Sequence, residues 1–118
     1  MSRSAEPAEA PSWTCTRCEV TARWMPGSIG GGRPAEWRED GDELYCLACR
    51  RAVAAEEGLE AAPEEKTNEG RAKVRAAALV EFEIRRDPDR SNSVIARACR
   101  TSIPAVVRAR QRIGIPAS

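Results

Sequence analysis

The chain has 118 residues, 19 basic against 18 acidic, with 42% apolar residues and only 4% aromatic. That length holds one or two small domains. A mean hydropathy of −0.52 argues against one large core, and units this small commonly draw stability from a metal or a partner. There is no histidine, which removes imidazole bases and imidazole ligands together. With no Gly-rich phosphate loop and no nucleophile–base pair, an enzyme is not expected. No apolar run is long enough to span a membrane and no secretory pattern opens the chain, so a cytoplasmic, nucleoid-associated setting is expected.

Residues 1–12 are small and Pro-containing and read as a flexible tail. Residues 13–62 read as a small α+β module. Cys15 and Cys18 form one Cys-x-x-Cys pair, and Cys46 and Cys49 form another. Two such pairs in one short intracellular module favour metal over disulfides. Four thiolates suit tetrahedral Zn2+ with no open position, so the site is structural, not catalytic; an iron–sulfur cluster is the alternative. Between the pairs, residues 25–37 read as a loop, and residues 35–46 as a β-hairpin turning at EDGDE. Residues after Cys49 are rich in helix formers. Knuckle, hairpin and a cysteine pair at a helix start resemble a treble-clef zinc finger, with a zinc ribbon as the close alternative. Trp13 and Trp37 are expected in the core of this module, Trp24 less so beside its loop.

Residues 63–70 read as a linker. Here the sign of the charge changes: from Arg71 onward eleven basic residues face four acidic ones, a net +7, which leaves −6 for the rest. A basic third points to a polyanionic partner. Residues 71–86 form a helix whose apolar side is Val74, Ala77, Ala78, Leu79, Phe82 and Ile84. Asp87-Pro88 ends it, and Ser91 or Ser93 caps the next helix.

Residues 71–116 are expected to form an all-α trihelical domain, with a helix-turn-helix over 92–113. Ala96 is small where helices cross, and Ile95 and Cys99 are its apolar neighbours. Ser102 caps the last helix, and Pro104 falls in its first turn, where a missing N–H costs nothing. Val106, Ala109 and Ile113 share the inward face. Ile103, Val107, Arg108, Gln111 and Arg112 lie on the opposite one. In a DNA major groove Arg108 would pair with guanine and Gln111 with adenine, while Arg90, Arg100, Ser102 and Arg110 would meet phosphates. The turn position where glycine is usual holds Arg100, and a left-handed conformation there costs about 1 kcal/mol or more.

The segment DPDRSNSVIARACRTSIPAVVRARQRIGIP resembles helix-turn-helix segments of actinobacterial and phage regulators, including ParB-like proteins. Asp87, Pro88, Arg90, Ser91, Asn92, Ile95, Ala96, Val106, Arg110, Gly114 and Ile115 stand at matching positions; Cys99 and Arg100 depart from the pattern. The resemblance implies double-stranded DNA binding for this segment and is silent on the cysteine module. The expected function is sequence-specific DNA binding by a transcription regulator. A short site read by one trihelical unit then calls for a homodimer, a partner or extra contacts. The acidic zinc module is assigned to protein contacts, RNA polymerase among them. An adaptor that binds protein without reading DNA is the alternative.

Overall fold

The computed structural model describes residues 11–24 and 32–117. Most of the expected tail and of the glycine-rich loop lies outside the described residues. The elements run β1 (Ser12–Thr14), β2 (Thr21–Arg23), β3 (Arg38–Asp40), β4 (Glu43–Tyr45), α1 (Leu47–Glu60), α2 (Asn68–Arg86), α3 (Asn92–Cys99) and α4 (Ile103–Ile113). The chain separates into two compact units, Met1–Arg50 and Arg51–Ser118.

The division falls inside α1 and not in the 63–70 stretch, for two local reasons. Thr67 Oγ1 accepts the Gly70 N–H at 2.9 Å and starts α2 at Asn68, so the end of that stretch is helix. The later turns of α1 also pack on α2: a Cβ added to Gly58 would sit 2.7 Å from the Ala78 Cβ, which explains a glycine in mid-helix.

The first unit contains two antiparallel hairpins. In β1–β2, Trp13 pairs with Ala22. In β3–β4, Asp40 pairs with Glu43, leaving Gly41-Asp42 as a two-residue turn. Gly41 takes φ +63° there, which a glycine at the first turn position supplies without strain. Trp37 is buried with Cys15, Cys46 and Cys49, and Trp13, Ala22, Leu44 and Tyr45 pack around them. Trp24 stays outside this cluster.

In the second unit α2, α3 and α4 pack pairwise. Val80, Ile84, Ile95, Ala96, Val106 and Ala109 form the core, with Cys99, Ile113 and Ile115 against it. Val80 was absent from the apolar side expected for α2. Ser91 Oγ accepts the Val94 N–H and Ser102 Oγ accepts the Ala105 N–H, each at 3.2 Å, so both helices start on a serine cap. At the end of α3, Arg100 takes φ 56°; its N–H reaches the Arg97 carbonyl, and the Thr101 N–H reaches the Ala96 carbonyl at 2.9 Å. This is the Schellman closure. At the end of α4, Gly114 is left-handed too, and the Ile115 N–H reaches the Arg110 carbonyl.

Two charged side chains lie inside this unit. Glu83 is buried and accepts from Arg51 Nε at 2.7 Å, Arg86 Nη2 at 2.7 Å and Arg90 Nη2 at 2.9 Å. Burial opposes its charge, but the three guanidiniums prevail and hold its carboxyl at about 2. Arg110 is 4% exposed. Its Nε donates to Asn92 Oδ1 at 2.6 Å, Nη1 to the carbonyls of Ile115 and Pro116, and Nη2 to those of Pro88 and Arg90. All five guanidinium donors are therefore used.

Glycine at position 100 relieves about 1–2 kcal/mol of left-handed strain and returns about 0.5–1 kcal/mol as unfolded-chain freedom. Arg100→Gly should therefore raise the stability of the helical unit by roughly 0.5–1 kcal/mol in denaturant titration.

Glu83→Gln should lower it by about 3 kcal/mol, because it leaves three arginines around a neutral amide. Folding depresses the Glu83 pKa. Its contribution is therefore whole above the ordinary value of 4.5 and is lost as pH falls toward about 2. Acid unfolding monitored by circular dichroism should show this slope in the wild type and lose it in the variant.

Candidate metal centre and candidate nucleic-acid surface

Each cysteine pair is presented by a different device. Cys15 and Cys18 sit in the turn between β1 and β2. The Cys15 N–H donates to the Val20 carbonyl and the Glu19 N–H to the Cys15 carbonyl, both at 2.9 Å; Glu19 takes φ 65° to close the turn. Cys46 immediately precedes α1 and Cys49 lies in its first turn. The knuckle is docked on β4 by two bonds, Thr16 N–H to the Leu44 carbonyl at 2.7 Å and Leu44 N–H to Thr16 Oγ1 at 3.0 Å. Arg50 ties α1 to the hairpin entry through the Glu36 carbonyl and carboxylate. Nothing in the sequence pattern singled out Thr16.

The result is convergence: the Sγ atoms of Cys15, Cys18, Cys46 and Cys49 all lie within 4.8 Å of one another. Cys18 and Cys46 are 3.7 Å apart. A tetrahedron with zinc–sulfur bonds of about 2.3 Å has edges of roughly 3.8 Å, so the four cysteines are positioned for a metal ion of that kind. Cys15, Cys46 and Cys49 are buried and Cys18 stands at the rim.

The thiols of this group titrate apart. Burial works against a Cys15 thiolate, but backbone N–H donors of Cys18, Cys46 and Arg17 bring it down to about 6. Burial and the three neighbouring cysteines push Cys49 up to about 12. Sulfurs this close do not all ionise by themselves; a cation is what allows four thiolates to coexist.

The basic surface differs from the expected one. Arg110 and Arg90, both assigned to phosphates by spacing, turn inward. Arg110 is spent on four carbonyls and Asn92, and Arg90 on Glu83 and Asp87. Neither is available to a phosphate, because the loop before α3 and the tail after α4 need these donors. Arg112 pairs with Glu81 at 3.0 Å and remains half-exposed. Ser102 is exposed, its oxygen engaged as the helix cap.

Ile103, Val107, Arg108 and Gln111 are all exposed along α4, and Arg100 is exposed at its approach. Ile103 is 49% and Val107 38% exposed, beside the buried Val106 and Ala109. Among the described residues, Arg97, Arg100 and Arg108 make no ion pair, and no acidic residue follows Asp89. On its other flank Arg108 shares a shallow groove with Arg112 and with Lys73 of α2, floored by Ala76, Ala77 and Val80.

No described helix is long and apolar enough to cross a membrane. Comparison with protein-family models, with curated proteins and with solved structures finds no match.

Removing the metal with a strong chelator, or substituting Cys46→Ser, should unfold the first unit while the α2–α4 unit stays folded. Tryptophan fluorescence reports the first, because all three tryptophans lie there, and far-ultraviolet circular dichroism reports the second. Loss of the helical signal in step with the tryptophan signal would refute this independence.

Proposed function

We propose that the chain is a sequence-specific double-stranded DNA-binding protein, a regulator whose α2–α4 unit acts as a helix-turn-helix of the ParB-like kind. One observation carries this reading. On α4 the face opposite the core holds Ile103, Val107, Arg108 and Gln111, flanked by ion-pair-free arginines and by no carboxylate on α3, the turn or α4. A helix behind a tight turn is the form that enters a major groove. Arg108 pairs with guanine and Gln111 with adenine, while Arg100 and Ser102 meet phosphates at the groove edge. The cysteine unit, treble-clef-like in its order of knuckle, hairpin and helix, carries one Zn2+. All four sulfurs lie within 4.8 Å, which suits a single ion better than a cluster that spreads its thiolates over separate irons. With four thiolates the site has no open position and is structural.

A second reading has its own support. Trp24 is 38% exposed at a shallow apolar cleft with Trp13, Ala22, Arg23 and Pro34, a surface fit for protein contact. In an adaptor this cleft binds a partner such as RNA polymerase and α4 reads nothing.

Salt separates the two. Binding of duplex DNA through several arginines should weaken steeply between low and moderate salt. Arg108→Ala should cost about 1–3 kcal/mol of affinity for a selected duplex with the circular dichroism spectrum unchanged. No affinity for any duplex at low salt would leave the adaptor.

A further inference from the structure

Resting on the DNA reading of α4, we propose that Ile103 and Val107 select thymine by burying its C5-methyl group. The inference starts from a cost. Both residues are β-branched, a poor choice for a helix, and both are exposed on a protein with little apolar material to spare. They stand four residues apart and so form one ridge with Cβ atoms roughly 5–6 Å apart, a span of one to two base steps. Gln111 continues the same row one turn further on. The thymine methyl is the apolar group that the bases offer in the major groove, and aliphatic side chains are its partners.

Charge argues for DNA over a second protein surface as the occupant of this ridge. Arg108 lies on the same helix and Arg97 and Arg100 precede it, none in an ion pair among the described residues. No carboxylate lies on α3, α4 or the turn between them. A second copy of this face would bring these arginines against their own kind, whereas a duplex brings phosphates. Ile103 and Val107 are thus specificity-determining contacts beside the polar pair Arg108 and Gln111. The preferred half-site contains one or two thymines next to the base read by Gln111.

The test uses the full chain loaded with zinc. The best duplex is selected from a random pool, and each thymine in it is replaced in turn by uracil, which lacks only the methyl. At one or two neighbouring positions affinity should fall about fourfold per methyl removed. In Ile103→Ala or Val107→Ala, thymine and uracil duplexes at the matching position should bind alike, since the methyl has lost its partner. Alanine at these exposed helical sites keeps the fold. If a duplex is selected and bound but uracil weakens it nowhere, or if both alanine variants keep the full thymine preference, the proposal falls and DNA binding stands. A wild-type dimer in sedimentation that Ile103→Ala converts to monomers, with the thymine response unchanged, assigns the ridge to a second copy and also overturns it. If no duplex binds at any salt concentration, the DNA reading falls and takes this inference with it.

Discussion

Each unit of this protein adds a polar centre to a small apolar core. In the first unit the centre is four sulfurs within 4.8 Å. In the second it is a pair of buried ions of opposite sign, Glu83 and Arg110. Burying a charge is costly unless its partners are complete, and here they are specific. Glu83 is met by arginines from α1, the end of α2 and the loop before α3. Arg110 collects carbonyls from both sides of that loop and from the tail after α4. Such centres fix where segments meet more sharply than a few alanines and valines would. Together with Val106 and Ala109 in the core, they hold the inner face of α4 against α2 and α3, and its outer face is left exposed.

This internal use of charge narrows what the net +7 of the last third means. Arg86 and Arg90 answer Glu83, Arg85 and Arg112 answer Glu81, and Lys73 answers Glu69. Arg110 spends its donors on four carbonyls and Asn92. What remains for a polyanion near α3 and α4 is Arg97, Arg100 and Arg108, a shorter list than composition suggests. The exposed Lys73–Glu69 pair contributes little to stability, so in the proposed DNA complex Lys73, beside Arg108, could exchange it for a phosphate.

The parts of the structure that sequence reasoning reached are those whose pattern is local. Two Cys-x-x-Cys pairs, the turn at Gly41, the serine cap at Ser102, and the inward set Ile95, Ala96, Val106 and Ala109 all follow from spacing alone, while for α3 spacing left Ser91 and Ser93 open and the structure has Ser91. The parts it missed depend on tertiary contact. Strands β1 and β2 are three residues each, as short as β3 and β4, but no glycine turn joins them to mark a hairpin. Arg90 and Arg110 read as phosphate contacts because a one-dimensional pattern treats every charge as solvated; their inward turn depends on partners such as Glu83 and the Arg90 carbonyl, seven and 20 residues away. On α2 the expected Ile84 is in the core and Val80 joins it, on the same buried side as Glu83. The division inside α1 was hidden because helix propensity runs evenly through it, while Gly58 and Arg51 answer to α2.

Arg100 joins these threads. It is one of two described non-glycine residues with positive φ; the other, Glu19, closes the cysteine turn. Glycine serves the same closure after α4 without strain, and a Cβ at Gly114 would meet nothing. Space therefore does not explain why one turn has glycine and the other arginine. Nor does stability, since the left-handed arginine is the weaker choice. Nor does an internal partner, since Arg100 makes no ion pair among the described residues. What the arginine adds is an exposed positive charge at the approach to α4, two residues before the cap residue Ser102. In the proposed DNA complex that charge would meet a phosphate, and a left-handed non-glycine residue retained at such a turn fits a binding role better than a stabilising one.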